Sequence, residues 1–123
     1  MALTAEQLDE IASAGEVLIE TRGGEKTRQT IIWVVVDDGG VFVRSVRGQA
    51  GRWYRQALAN PEVALIVGDN RYPFTASPAA DADSVRRTSD GFRLKYGKGR
   101  SVDAMVLPEV LDTTLRLIPT DRA

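Results

Sequence analysis

Hydrophobic and polar positions change their period several times along the chain. Leu8, Ile11 and Ala12 fall on one helical face, Thr4 and Gln7 have the spacing of a capping box, and Leu3 is placed to staple onto Leu8, which predicts a short helix ending at Gly15. From Val17 the period drops to two. Val17, Ile19 and Thr21 point one way and Leu18, Glu20 and Arg22 the other, as in a half-buried strand. After the polar, Gly-bearing turn "RGGEKTRQ", the run "TIIWVVV" is apolar on both alternating faces and predicts a central strand covered on both sides. "DDGG" tolerates positive backbone dihedrals, so it should close a hairpin into "VFVRSVR" that pairs 30–36 with 41–47.

Further on, Arg52 to Ala59 reads as a helix stopped by Asn60-Pro61, and "EVALIVGD" with "RYPFTAS" as a strand pair whose second member is irregular or lies on an edge because of Pro73. A helix capped by Asp81 or Asp83 should run to Tyr96 with Val85, Phe92 and Tyr96 in register and Gly97 as its stop. Gly91 weakens it by about 1 kcal/mol relative to Ala. "GKGRS" reads as a mobile basic loop and "TTLRLIP" as a last strand. About six strands with short helices between them give a mainly β fold: one domain over residues 1–123, closed as an antiparallel barrel that hides its strand edges.

With 43% hydrophobic and 27% charged residues the chain has the balance of a globular domain rather than a disordered one. Its formal charge of -1 provides no global field to hold nucleic acid or an anionic membrane, so only a local basic patch could do so. There is no Cys and no His, which excludes a Ser-His-Asp triad, a Cys-His pair and a zinc site built from those ligands. Chemistry is left to carboxylates, Lys, Tyr or a borrowed cofactor. No apolar run is long enough to cross a bilayer, and "MALTAEQLDE" lacks the basic-then-apolar pattern of a secretory signal, so a cytoplasmic location without membrane partners is expected.

The local patch is "VRSVRGQAGRWYRQALANPEV", which holds Arg44, Arg47, Arg52 and Arg55 around a Gly-containing turn. Alternation puts Val41, Val43, Ser45 and Arg47 on one face and Phe42, Arg44 and Val46 on the other, so Ser45 and Arg47 project together at the end of the strand. The turn then enters a helix whose first amides are unpaired, where a phosphate can be held by N–H groups and the helix dipole, with Arg47 and Arg52 adding charge-assisted contacts. Lys26, Thr27 and Arg28, at the mouth of the adjacent strand, form a second anchor. The bland alternative is four solvated arginines. Trp53 is assigned to the core with Ala57 and Leu58, while Tyr54 stays open between core and a ring-stacking site. Tyr96 and Lys98 suit packing and capping better than a second ligand, and Asp37–Asp38 is a turn and not a catalytic dyad.

The segment from Thr21 to Asp69, with its basic Gly turn, apolar strand, hairpin, strand ending in Ser or Arg, Trp-bearing helix and "ANPEV", resembles the split-barrel superfamily of flavin and deazaflavin oxidoreductases related to pyridoxamine phosphate oxidase. It also resembles a small domain family of unknown function within that superfamily, which "KYG" and "TTLRLIP" fit as well. The resemblance implies a six-stranded antiparallel split barrel, like FMN-binding proteins, that forms a homodimer with FMN or a deazaflavin in a groove between subunits and reduces a small organic acceptor. It implies phosphate contacts at Lys26, Thr27, Arg28, Arg44, Ser45, Arg47 and Arg52, to which the residue reading adds Tyr54. Tyr54 or Tyr72 is a candidate proton donor. The charged loop "RGQAGRW" departs from relatives with a Gly pair followed by His or Pro, and the lack of His disfavours relatives that bind haem through His. A non-catalytic cofactor-binding member and a barrel binding single-stranded nucleic acid are the rival readings; the charge balance counts against the second.

Overall fold

The computed structural model describes residues 3–120. Helix α1 (Ala5–Ser13) starts on the expected capping box, with the Gln7 amide donating to Thr4 Oγ1 at 3.1 Å and the Thr4 amide to Gln7 Oε1 at 2.8 Å. Leu3, Leu8 and the fully buried Ile11 carry its apolar face into the core. The helix stops at Ser13, because Ala14 rather than Gly15 leaves helical geometry.

One antiparallel sheet follows, made of β1 (Val17–Gly23), β2 (Lys26–Ile32), β3 (Val35–Asp37), β4 (Gly40–Val43), β5 (Glu62–Val67), β6 (Asn70–Pro78) and β7 (Leu115–Pro119), in the order β2-β1-β5-β6-β7-β4-β3. The inward positions of β1, Val17, Ile19 and Thr21, are buried as the alternation required. Opposite them Leu65, Phe74, Val43 and Leu117 fill the same interior. The β3–β4 hairpin turns through Asp38 at φ 49° and Gly39 at φ 78°, the left-handed pair a two-residue loop needs.

Four expectations are corrected. The sheet has seven strands, not six, because the ladder breaks at Trp33–Val34. Residues 30–32 pair with β1 and only 35–37 pair with β4, so the expected pairing of 30–36 with 41–47 holds for two pairs alone, Val35 with Phe42 and Val36 with Val41. The apolar run is therefore not a central strand but both edges of a curled half-barrel at once. It is apolar on both faces because Val34 points into the barrel core while Val35 packs outward against Phe92 and Met105. Ile31, before the break, is 62% exposed. Pro73, conversely, sits in an interior strand. Its carbonyl accepts from the Thr120 amide at 3.2 Å, just past the end of β7, so its missing N–H falls where the ladder has run out.

The break at Val34 leaves backbone groups that no strand satisfies, and helix α3 (Ala82–Tyr96) supplies the partners. The Val34 amide donates to the Tyr96 hydroxyl at 3.2 Å, that hydroxyl donates to the Gly15 carbonyl at 2.7 Å, and Lys95 Nζ donates to the Val34 carbonyl at 2.7 Å. Asp81 caps the helix and Gly97, at φ 79°, ends it as expected. Burial lowers the Lys95 ammonium to about 8. The charged form is thus disfavoured on folding; the penalty is complete below pH 8 and vanishes above the unfolded value of about 10.4. Relative to Lys95→Met, the wild-type protein should gain stability between those limits, and urea unfolding of both proteins at pH 7 and pH 10 checks the sign.

Candidate functional site

Strand β4 ends at Val43, four residues before the expected limit, because side chains replace the ladder there. The Ser45 amide donates to Thr113 Oγ1 at 3.0 Å, and Arg44 turns inward to become a buried hub, 1% exposed. Its Nε donates to Thr114 Oγ1 at 2.9 Å, Nη1 to Ser89 Oγ and the Met105 carbonyl at 2.9 Å each, and Nη2 to the Val85 carbonyl at 3.1 Å. The guanidinium lies 5.5 Å from the centre of the Phe92 ring. Burial, and less so Arg93, pulls its ionisation down to about 10, which leaves it cationic at neutral pH. Arg44 thus ties the end of β4 to α3, to the start of β7 and to helix α4 (Arg100–Met105).

Beyond Ser45 the chain surfaces at Val46 and Arg47, passes a single 3-10 turn (Gly48–Ala50), and enters helix α2 (Arg52–Ala59), whose limits are those predicted. The helix begins at Gly51, which offers no side-chain cap, so the amides of its first turn lack the usual oxygen acceptor. Ser45 Oγ, buried beside it, has no hydrogen-bond partner among the described residues. A Cβ at Gly51 would overlap that hydroxyl, so glycine here keeps open the approach between helix start and serine. Trp53, Tyr54 and Ala57 form the buried face of α2, with the Trp53 and Tyr54 rings edge to face at 6.3 Å.

A cleft of about 800 Å³ runs over this region, bounded by β2, the turn after β4, the start of α2, and α4. It gathers five of the expected residues, Arg28, Arg44, Ser45, Arg47 and Arg52. Lys26 and Thr27 are exposed at the far end of β2 and do not line it. Tyr54 does not line it either; it belongs to the core, where burial and then Asp112 raise its hydroxyl. Tyr72, the other candidate proton donor, is bonded to Glu10 of α1 and pushed up to about 12, away from the cleft. Arg55 is exposed and outside it.

Sequence reading missed Arg100 and Ser101, which line the cleft from α4. "GKGRS" is a helix entry rather than a wholly mobile loop, and a second short helix, α5 (Pro108–Leu111), follows. The available signals were Val102 and Met105 at helical spacing, both buried, and Pro108 at a helix start. The exposed Arg28, Arg47, Arg52 and Arg100 make no ion pair among the described residues, whereas Arg71, Arg86, Arg87 and Arg93 do. Asp37 and Asp38 stand at the β3–β4 turn, as expected, and pair with Arg87. Among the described residues there is no cluster of three or more potential metal ligands and no helix long and apolar enough to cross a membrane.

A curled antiparallel sheet whose two edges meet in one bent segment, with a basic cleft at the seam, defines a split barrel of the pyridoxamine phosphate oxidase type. Residues 7–117 match the model of DUF2255, described as an uncharacterized protein conserved in bacteria, and the chain belongs to that family. No curated protein has a significant match to it. Among solved structures it is similar to the conserved hypothetical protein Rv2991 of Mycobacterium tuberculosis, with 18% identity and a TM-score of 0.76 over 99% of this chain and 82% of that one. HutZ, the heme storage protein of Vibrio cholerae, has 16% identity and a TM-score of 0.73 over 99% of this chain and 93% of that one. A Listeria innocua protein assigned as a pyridoxamine 5′-phosphate oxidase has 14% identity and a TM-score of 0.70 over 94% of this chain and 92% of that one. At such identities the likeness is one of fold.

Proposed function

We propose that the cleft binds a phosphorylated, planar redox cofactor, FMN or a deazaflavin, and that the protein is a cytoplasmic homodimer reducing a small organic acceptor. The observation that carries this reading is the meeting of an uncapped α2 start, a buried Ser45 hydroxyl and the Arg47 and Arg52 guanidinium groups in one cleft, none of the three side chains having a partner among the described residues. Those donors suit a phosphate. The volume, about 800 Å³, lies in the range of roughly 300–1,000 Å³ for small-molecule sites. Trp33 and Trp53 offer aromatic surface in the same cleft. Haem, which the name of HutZ brings to mind, finds no imidazole ligand in a chain without His.

When bound, a flavin-type group supplies the hydride chemistry. The chain's own residues bind and orient. Arg47, Arg52 and Ser45 hold the phosphate, and Gly51 lets helix and serine approach it. Arg44 remains a fixed positive charge in the wall, its position set by its four internal acceptors. A second subunit is the natural cover for the open side of the cleft, where Ile31 and Val46 are exposed.

In equilibrium dialysis Arg47→Ala or Arg52→Ala should weaken FMN binding by about 2 kcal/mol, roughly thirtyfold, within the range for hydrogen bonds to charged groups. Arg55→Ala should leave it unchanged. Riboflavin, which has no phosphate, should bind the variants as it binds the wild type. Equal losses for FMN and riboflavin, or a wild type that takes up neither FMN nor a deazaflavin, reject the reading.

A further inference from the structure

The cleft carries more positive charge than one phosphate uses. Five arginines line it, Arg28, Arg44, Arg47, Arg52 and Arg100, against a single carboxylate among the described residues, Glu16, in a chain whose formal charge is -1. Other arginines of the chain are neutralised locally; Arg87, for example, reaches Asp37 at 2.6 Å. The four exposed cleft arginines have no such partner among the described residues, and the acceptors that hold Arg44 are all neutral.

Arg47 and Arg52 stand beside the start of α2 and are accounted for by the cofactor phosphate. Arg28 and Arg100 come from two other elements, β2 and α4, and are not. A neutral second ligand closing the cleft would take both guanidinium groups out of water with nothing to pair them, which is unfavourable. An anionic one would satisfy them through the planar, bidentate geometry that guanidinium shares with carboxylate and phosphate.

We infer that the second ligand of the cleft is a small organic anion whose carboxylate or phosphate is held by Arg100 and Arg28, with Arg100 as the residue that selects the acid over its neutral analogue. This rests on the cofactor reading only in assigning Arg47 and Arg52 to the cofactor phosphate. Ser101, next to Arg100 on the same wall, is available as a hydroxyl donor to the same group.

Calorimetric titration tests this with three aromatic probes: 4-nitrobenzoate, phenyl phosphate and the uncharged 4-nitrobenzamide. Each is added to wild type, R100Q, R28Q and R47Q, before and after saturation with FMN. At least one acid should bind wild type tenfold or more tightly than the amide, with a preference that shrinks as salt rises. The preferred acid tells carboxylate from phosphate recognition. R100Q should bring acid and amide to within about twofold while FMN affinity stays within twofold of wild type; R47Q should do the reverse. Equal affinity for acids and amide, no binding of either acid, or an acid preference that survives R100Q overturns the inference. So does displacement of the acid by single-stranded DNA at lower concentration than by either small acid, since the site would then serve a polyanion. A wild type that binds no FMN but keeps an R100Q-sensitive acid preference removes the cofactor reading and leaves this one standing.

Discussion

Replacing Arg44 by Met is expected to destabilise the protein by about 3 to 4 kcal/mol. Methionine approximates the length of the arginine stem and can lie on Phe92, so packing is largely kept and the loss reports the guanidinium. Four hydrogen bonds from a cation disappear, to Thr114 Oγ1, Ser89 Oγ, and the carbonyls of Val85 and Met105. Hydrogen bonds to charged groups are worth roughly 1.5–3 kcal/mol each when removed singly. The sum is reduced because the cost of burying the cation, seen in its ionisation lowered to about 10, disappears with the guanidinium. It is reduced again because Thr114 Oγ1 keeps its own bond to the Leu111 carbonyl at 2.7 Å. The Met105 carbonyl, near the end of α4, stands to lose most. Denaturant unfolding measures the total, and hydrogen exchange should show α4 opening before the sheet. A variant as stable as wild type would mean that Arg44 is not a structural hub.

The second large effect is expected at Gly91. By helix propensity alone, a side chain there should help α3, since glycine in a helix interior costs about 1 kcal/mol relative to Ala. The packing says the reverse: a Cβ at Gly91 would overlap Cγ1 of Val35, which is buried and stiff at χ1. Gly91→Val should therefore cost about 3 kcal/mol, the upper part of the usual range for overfilling a packed contact. Pairing it with Val35→Ala should recover at least half of that loss. Additive losses in the double variant would show that the helix and β3 do not meet as described.

Gly91 also shows where sequence reasoning stops. Its cost was readable from the helix around it, whereas its reason lies 56 positions earlier, in a strand that no local pattern connects to it. What depends on nearest neighbours was legible: the capping box at Thr4, the Asp38–Gly39 turn, the limits of α2, the alternation of β1, and Gly97 as a stop. What depends on closure was not. Residues 30–36 look like one buried strand because each face is apolar, yet one face is covered by the barrel interior and the other by α3, and the main chain changes partners between them. The same holds at the cleft. Ser45, Arg47 and Arg52 are legible because they lie close together around one turn, and Arg28 through the basic segment before the apolar run, whereas Arg100 arrives through α4, six residues long and too short to declare itself by periodicity. Arg44 enters the site only through the family resemblance, and its neutral partners on α3, on α4 and just before β7 are not legible in its own segment.

The chain contains two tryptophans, Trp33 and Trp53, and both stand on the cleft wall. Trp53 is packed in α2 beside the proposed phosphate end, while Trp33 lies at the seam, stacked on Tyr96 with ring centres 3.9 Å apart. The protein therefore carries an optical reporter for each event that matters: one ring is placed to sense a ligand entering, the other to sense the barrel's two edges parting. Single Trp→Phe variants separate the two signals without any added label.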